Sequence, residues 1–168
     1  IKTGSDAVKL EGGIEIIDRI KAIKEVGIPV MGHIGLKPQT TPLHHGYISQ
    51  GKTAEDAIKL ISEAEALEEA GVFSIVLEKV TSEVASVITQ NVNVPTIGIG
   101  CGPYVDGQVL VIHDMLGLYK EMEPKFVKRY LNLSEQIFDA IKAYENEVKS
   151  GKFPQEEHMY HMTEEEFA

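Results

Sequence analysis

Short apolar runs alternate along the chain with segments that have helical spacing. In those segments, apolar residues recur every three or four positions, which is the spacing of one face of an α-helix. The short runs favour β-strands and lie at 6–12, 28–35, 72–78, 94–100 and 108–114. Strands that alternate with helices are typical of βαβ units and of a parallel sheet. The pattern therefore predicts an α/β fold with five strands, in a single domain that covers residues 1–168.

Four helical segments are predicted from the same spacing and from signals at the helix ends. The second is the clearest, because Thr53 is a typical N-cap residue and Gly71 follows the last helical position. The last and longest has an apolar side formed by residues such as Tyr130, Ile137 and Ile141. The four predicted segments are 13–27, 53–71, 81–91 and about 124–150.

Composition and charge narrow the class of protein. The 168 residues are 43% hydrophobic and 25% charged, which is the balance of a globular protein. The formal net charge of −10 disfavours nucleic-acid binding, because neutralising phosphates needs clustered Lys and Arg. No apolar run reaches the length of a membrane span, so we expect no membrane partner. Cys101 is the only cysteine, which favours a reducing, cytoplasmic location.

Polar residues stand at the predicted carboxyl ends of the strands, where ligands bind in parallel α/β folds. Lys9 and Glu11 are two positions apart on the first strand and so share a face. His33 lies near the end of the second strand, and Glu78 ends the third. The fourth is followed by a glycine-rich turn, and the fifth is predicted to end at His113 and Asp114.

Each of these residues also has an ordinary structural explanation. Glu78 can be a solvated or ion-paired acid, Lys9 and Glu11 a structural pair, and His33 a hydrogen-bonded core histidine. The glycines at 98, 100 and 102 can mark close packing as well as the approach of a ligand. Polar groups on three successive strand ends nevertheless favour a site.

The residue types indicate a chemistry for that site. One carboxylate can contribute to a Mg²⁺ site, and a lysine can bind the carboxylate of a substrate. A second carboxylate, partly buried, can act as a general base. The set suits removal of a proton next to the carbonyl of a small α-keto acid.

Several stretches resemble the ketopantoate hydroxymethyltransferase family, in order along nearly the whole chain. The most informative are VKLEGG (8–13), PVMGHIGLKPQ (29–39), ALEEAGVFSIVLE (66–78), PTIGIGCG (95–102) and DGQVLVIHDMLG (106–117). The resemblance implies a (β/α)₈ TIM barrel, of which this chain carries about the last five strands plus C-terminal helices. Such barrels have about 250 residues. The start of the chain without Met, just before a strand, also leads us to expect a fragment.

The resemblance also implies an activity and roles for individual residues. The family transfers a hydroxymethyl group from 5,10-methylenetetrahydrofolate to 3-methyl-2-oxobutanoate, which gives 2-dehydropantoate on the way to pantothenate and coenzyme A. Glu78 matches the general base and Glu11 a carboxylate of the Mg²⁺ (or similar divalent cation) site. Lys9 matches the residue that contacts the substrate carboxylate, and His33 a group that hydrogen-bonds the substrate. The family further implies a homo-oligomer, a decamer.

Some features depart from the family pattern. His44 and His45 stand where a small residue is expected, and Cys101 stands where alanine is common. The strands that carry further Mg²⁺-binding aspartates and a substrate-binding serine have no counterpart in this sequence. A metal site is one interpretation of the His44–His45 pair.

The histidines of the polar tail, His158 and His161, also have two interpretations. Their helical spacing is compatible with metal binding, and a tail feature or a subunit contact is the other explanation.

Two other functions stay open at this point. The chain can be a non-catalytic fragment of the transferase, inactive without its N-terminal half. More remotely, it can belong to a related Mg²⁺-dependent barrel that acts as a lyase or mutase on phosphoenolpyruvate or isocitrate.

Overall fold

The computed structural model of the protein describes residues 4–39, 48–119 and 124–167. They divide into two compact units, Ile1–Leu110 and Val111–Ala168, and each is described by itself. That the two belong to a single domain stays a prediction. Within the described ranges, no helix is long and apolar enough to cross a membrane.

The first unit is built on a five-stranded sheet in which all neighbouring strands are parallel. The strands follow one another in space in chain order, as they do in part of a (β/α)₈ barrel. This arrangement confirms the predicted α/β class. The strands are β1 (Val8–Glu11), β2 (Val30–Gly35), β3 (Ser74–Glu78), β4 (Thr96–Ile99) and β5 (Gly107–Gln108).

Three helices of the first unit pack on one face of this sheet. They are α1 (Ile17–Glu25), preceded by a 3₁₀ turn (Ile14–Ile16), α2 (Ala54–Glu69) and α3 (Ser82–Asn91). Burial of their apolar sides against the sheet forms the core, as the periodicity predicted. The largest fully buried apolar side chains of this core are Ile20, Ile34, Leu67, Ile75, Leu77 and Ile88.

The predicted start of α2 is confirmed. The Thr53 hydroxyl accepts a hydrogen bond from the backbone N–H of Asp56 at 3.2 Å, so it satisfies one of the free donors at the start of the helix. At the other end, the Lys24 ammonium donates to the carbonyl of Ala70 at 2.9 Å. The C-terminus of α2 is thereby joined to α1.

The fifth strand is much shorter than predicted. Only Gly107 and Gln108 pair with β4, followed by one more hydrogen bond from the Val109 N–H to the Gly98 carbonyl. The reason is that β4 ends at Ile99 and the chain turns away at Gly100, where φ is +69°. Leu110, the last residue of this unit, therefore has no extended backbone of β4 beside it.

The helices that the structure describes in the second unit are α4 (Ile112–Met115), α5 (Leu133–Lys149), a 3₁₀ turn (Glu156–His158) and α6 (Glu164–Phe167). His113 and Asp114 lie on α4, so the prediction that they end the fifth strand is wrong. The prediction that a helix begins near Pro124 is also wrong. The Tyr130 N–H donates instead to the carbonyl of Met115, and the Leu133 N–H to that of Leu116.

Candidate active site

Three of the predicted site residues lie side by side at the carboxyl ends of neighbouring strands. Glu11 pairs in register with His33, and Glu78 is the last residue of β3. Ile34 and Leu77, which adjoin His33 and Glu78 in sequence, belong to the helix-covered core. Because successive residues of a strand point to opposite faces, His33 and Glu78 face away from that core.

The imidazole of His33 lies between two carboxylates. Its Nδ1 is 3.5 Å from Oε1 of Glu11, and its Nε2 is 3.2 Å from Oε2 of Glu78. The His33 side chain is only 2% exposed, whereas those of Glu11 and Glu78 are 10% and 17% exposed. The structure thus brings together three groups that the sequence placed on three separate strands.

Close approach does not give His33 well-formed hydrogen bonds. Among the described residues, neither ring nitrogen has a partner with hydrogen-bond geometry, although both are buried. A buried polar atom without a partner is costly. A ligand that reaches this end of the sheet and hydrogen-bonds the ring would remove that cost.

Lys9 shares the strand with Glu11, two positions earlier, but it is exposed. Within the described ranges, no ion pair or hydrogen bond joins it to Glu11. The structure therefore does not support the interpretation of Lys9 and Glu11 as a structural pair. Lys9 remains on the face of β1 that carries Glu11, with its ammonium accessible to a ligand.

The backbone around Glu78 is fixed from both sides. Its carbonyl accepts the N–H of Leu36 at 2.8 Å, and the N–H of Lys79 donates to the carbonyl of Ile99 at 2.9 Å. Gly35, opposite Glu78, has φ of +91°, and a Cβ there would clash with the Glu78 carbonyl oxygen. Glycine at this position therefore lets β2 approach the end of β3 closely.

Sequence reasoning missed the conformation of Lys79. Its φ of +50° makes it the one non-glycine residue with positive φ in the part of the chain that the structure describes. Such a conformation is uncommon outside glycine and is found preferentially near functional sites. Lysine carries no sequence signal for it, so the pattern could not have revealed it.

Sequence reasoning also missed Glu63, an acid on the buried face of α2. It is 4% exposed, and its carboxylate packs over Gly13, where any Cβ would clash with it. The Nζ of Lys59, one turn earlier on the same helix, lies 3.9 Å from its Oε1. Burial raises the pKa of Glu63, against the opposing effect of Lys37 and Lys59. The spacing of Leu60, Ala64 and Leu67 around it was the available signal, since it places position 63 on the apolar face.

Replacing Glu63 with Gln is expected to stabilise the protein at pH 7 by about 1 kcal/mol, the usual size of a single stabilising change. A raised pKa means that the carboxylate opposes folding once it is ionised. The gain should therefore be present above the folded-state pKa and vanish at pH values below the ordinary value of 4.5.

Urea unfolding of the intact protein at pH 7 and pH 4 measures this gain. Glu65→Gln is the matched control, because Glu65 lies on the exposed side of the same helix. An equal gain in the two variants, or a Glu63→Gln gain that persists at pH 4, would contradict the assignment.

Two glycines, one in β4 and one in the turn that follows it, lie in close contact with neighbouring side chains. The sequence had allowed either close packing or the approach of a ligand at these positions. A Cβ at Gly98 would lie 2.5 Å from the Cys101 sulfur, and one at Gly102 would clash with the Ser82 hydroxyl. Both glycines are thus explained by neighbouring side chains. Cys101 is buried, which raises the pKa of its thiol.

The remaining histidines do not form a metal site in the described ranges, where no group of three or more suitable side chains lies close enough to hold a metal ion. Nδ1 of His158 accepts the N–H of Gln155 at 3.1 Å, and Nε2 of His161 is 2.8 Å from Oε1 of Glu156. The predicted pair His44 and His45 lies outside the described residues.

The first unit thus belongs to the class of α/β proteins with a parallel sheet, and its two acids and histidine lie at the carboxyl edge, where ligands bind in such folds. Comparison with known families makes the assignment specific. The family described as ketopantoate hydroxymethyltransferase matches residues 1–156. The chain belongs to this family, as the sequence motifs predicted.

Individual relatives agree with the family assignment. Proteins named 3-methyl-2-oxobutanoate hydroxymethyltransferase from Nitrosopumilus maritimus, Syntrophomonas wolfei and Pyrococcus abyssi are 57%, 54% and 51% identical to this chain. The matches cover 99%, 98% and 99% of this chain, but 60%, 59% and 58% of those relatives. The chain thus spans about three fifths of the length of the curated relatives it matches.

Proposed function

We propose that the intact protein transfers a hydroxymethyl group from 5,10-methylenetetrahydrofolate to 3-methyl-2-oxobutanoate and so forms 2-dehydropantoate in pantothenate biosynthesis. Family membership supports the reaction class. The observation that carries the proposal is the position of His33, buried between Glu11 and Glu78 without a well-formed hydrogen bond. These are the three groups that a substrate would meet at this end of the sheet.

In the proposed mechanism, Glu78 is the general base. Its carboxylate takes the proton from C3 of the keto acid, and the C3–H electron pair enters the enolate. The methylene carbon is held to the folate by two carbon–nitrogen bonds. One of them breaks as the enolate carbon bonds to the methylene carbon, and water displaces the second nitrogen and leaves the hydroxyl group. The C3 proton and one proton from water end on the two folate nitrogens, which gives tetrahydrofolate. The backbone hydrogen bonds on both sides of Glu78 favour this role, because a base must be held at a defined position.

His33 and Lys9 bind and orient the keto acid in this scheme. The His33 ring has buried nitrogens free to hydrogen-bond a substrate oxygen. Lys9 is an exposed cation two positions before Glu11 and suits the substrate carboxylate. Both reactants held at one end of the sheet would meet in a productive orientation.

Glu11 would contribute one carboxylate to a Mg²⁺ ion or a similar divalent cation. Mg²⁺ is usually held by one or two carboxylates together with substrate oxygens and waters, so a single acid fits part of such a site. When bound, the cation would make the α-proton more acidic by withdrawing electrons from the keto group. The described residues supply no complete ligand set, and we expect the other protein ligands from outside this chain.

An inactive fragment is the second candidate, and it is favoured by the lack of a complete ligand set among the residues that the structure describes. We expect the 18.5 kDa chain by itself to give no turnover. The alternative of a barrel that acts on phosphoenolpyruvate or isocitrate gains no support from the comparisons. For the intact protein, we further propose a cytoplasmic homo-oligomer, a decamer by family resemblance, with no nucleic-acid or membrane partner.

The test is to incubate the intact protein, with its mass verified, with 3-methyl-2-oxobutanoate, methylenetetrahydrofolate and Mg²⁺. Formation of the product is followed by NMR. We expect 2-dehydropantoate to form, the reaction to stop after chelation of the cation, and Mg²⁺ to restore it. A folded intact protein that forms no product under these conditions would overturn the proposal.

A further inference from the structure

The four residues that follow β2, here called the 36–39 segment, are tied to both candidate carboxylate positions. The Leu36 N–H donates to the backbone carbonyl of Glu78 at 2.8 Å. The Lys37 ammonium donates to Oε1 of Glu15 at 2.8 Å. The Gln39 N–H donates to Oε2 of Glu11 at 3.2 Å. The segment thus joins the ends of β1 and β3.

We propose that Lys37 and Glu15 are positioning residues, which hold the 36–39 segment so that the Gln39 N–H fixes the orientation of the Glu11 carboxylate. This inference rests on the proposed function, in which Glu11 helps to hold a divalent cation. Neither Lys37 nor Glu15 touches the substrate in this scheme. They act through Gln39, whose hydrogen bond restricts rotation of the carboxylate.

The chain between Lys37 and Gln39 can transmit this restraint because it contains Pro38. The proline ring fixes its own φ near −65°, and it disfavours the helical region for the residue before it. With few conformations open to residues 37 and 38, anchoring the Lys37 side chain limits where the Gln39 N–H can point. Leu36, which is 3% exposed, anchors the segment on the other side.

Glu15, the middle residue of the 3₁₀ turn that leads into α1, is the partner that holds the Lys37 side chain. Its hydrogen bond with Lys37 is the main reason that the pKa of Glu15 falls to about 2. Backbone hydrogen bonds from Gly13 and from Glu15 itself lower that pKa further, against the effect of partial burial. The carboxylate is therefore ionised at every pH at which an enzyme of this kind would be assayed, and the tie persists.

In the orientation set by Gln39, the two carboxylate oxygens of Glu11 have different neighbours. Oε2 accepts the Gln39 N–H, and Oε1 faces Nδ1 of His33. A carboxylate oriented in advance loses less entropy when it binds a cation than one that rotates freely. Groups that orient a metal-binding side chain in this way typically change metal affinity by 10- to 100-fold when they are removed.

The experiment compares Lys37→Met with Lys37→Arg and Lys59→Met in the intact protein. Lys59 is the matched control, because it is the other lysine beside Glu63 but bonds neither Glu15 nor the 36–39 segment. Titration with Mg²⁺ alone, followed by calorimetry, measures the affinity. We expect about 10-fold weaker binding for Lys37→Met and less than about 2-fold change for the other two variants. A saturating concentration of Mg²⁺ should restore the rate at which Lys37→Met exchanges the C3 proton of 3-methyl-2-oxobutanoate.

A second measurement does not depend on the cation. Amide hydrogen exchange at Gln39 should be slowed in the wild type, in Lys37→Arg and in Lys59→Met, and should accelerate in Lys37→Met. Equal Gln39 exchange in Lys37→Met and Lys59→Met would overturn the positioning role, whatever the Mg²⁺ result. A wild-type protein that binds no Mg²⁺ and forms no product would instead overturn the proposed function, and the Gln39 exchange rates would still decide the role of Lys37.

Discussion

Replacing Glu78 with Gln is expected to slow exchange of the C3 proton of 3-methyl-2-oxobutanoate by about 100- to 10,000-fold, the range that a general base contributes. The amide has nearly the shape of the carboxylate, so it can stay beside Nε2 of His33, 3.2 Å away in the wild type. It cannot accept a proton at neutral pH. The change therefore removes the base and leaves the backbone bonds around position 78 in place.

Proton exchange in D₂O with Mg²⁺ and without folate isolates this step, because no carbon–carbon bond can form. NMR of the keto acid gives the exchange rate directly. Glu83→Gln serves as the control, since Glu83 is an exposed acid in the first turn of the neighbouring helix α3. Exchange that stays at the wild-type rate in a folded Glu78→Gln protein would refute the base assignment.

Replacing Gly35 with Ala is expected to lower the free energy of unfolding by about 3 kcal/mol, through a backbone cost and a steric cost. Part of the loss, about 1–2 kcal/mol, is the cost of a left-handed backbone for a residue with a Cβ. The rest arises because the new methyl group would clash with the carbonyl oxygen of Glu78 and approach a Val80 methyl group. Relief of this clash must displace the end of β3, so C3 proton exchange should fall as well.

Gly27→Ala separates these two causes. Gly27 has a similar φ, +80° against +91° for Gly35, but an added Cβ at Gly27 meets no atom within 4 Å. The Gly27→Ala variant should therefore show only the backbone cost, with the rate of C3 proton exchange unchanged. Urea unfolding of both variants of the intact protein gives the comparison. If Gly35→Ala proved no more destabilising than Gly27→Ala, the close contact between β2 and the end of β3 would be refuted.

The first four strands and the first three helices were predictable because their signals are local. Periodic apolar residues such as Ile16 and Ile20 face the core as the spacing requires. The meeting of Glu11, His33 and Glu78 was also predictable, since the carboxyl ends of adjacent parallel strands lie at one edge. Sequence alone could place these residues near each other, but it could not give the burial of the imidazole between two acids.

The features that escaped prediction depend on partners distant in sequence. The fifth strand is short because β4 ends early, although residues 109–112 have strong β propensity. The backbone of Tyr130 bonds Met115, so the last long helix begins later than its periodicity indicated. The ion pair between Lys37 and Glu15 joins two charged residues that nothing in the sequence distinguishes from ordinary surface residues.

The parallel order of β1, β2 and β3 also sets the time at which the site can exist. Each of the two contacts of His33 closes across a complete βα unit, since α1 separates β1 from β2 and α2 separates β2 from β3. Pairing of this kind is non-local and therefore forms slowly. During synthesis, as long as only β1 and β2 have left the ribosome, Glu11 is the one acid of the cluster that His33 can contact. The cluster is complete only after Glu78 has left the ribosome and α2 has docked.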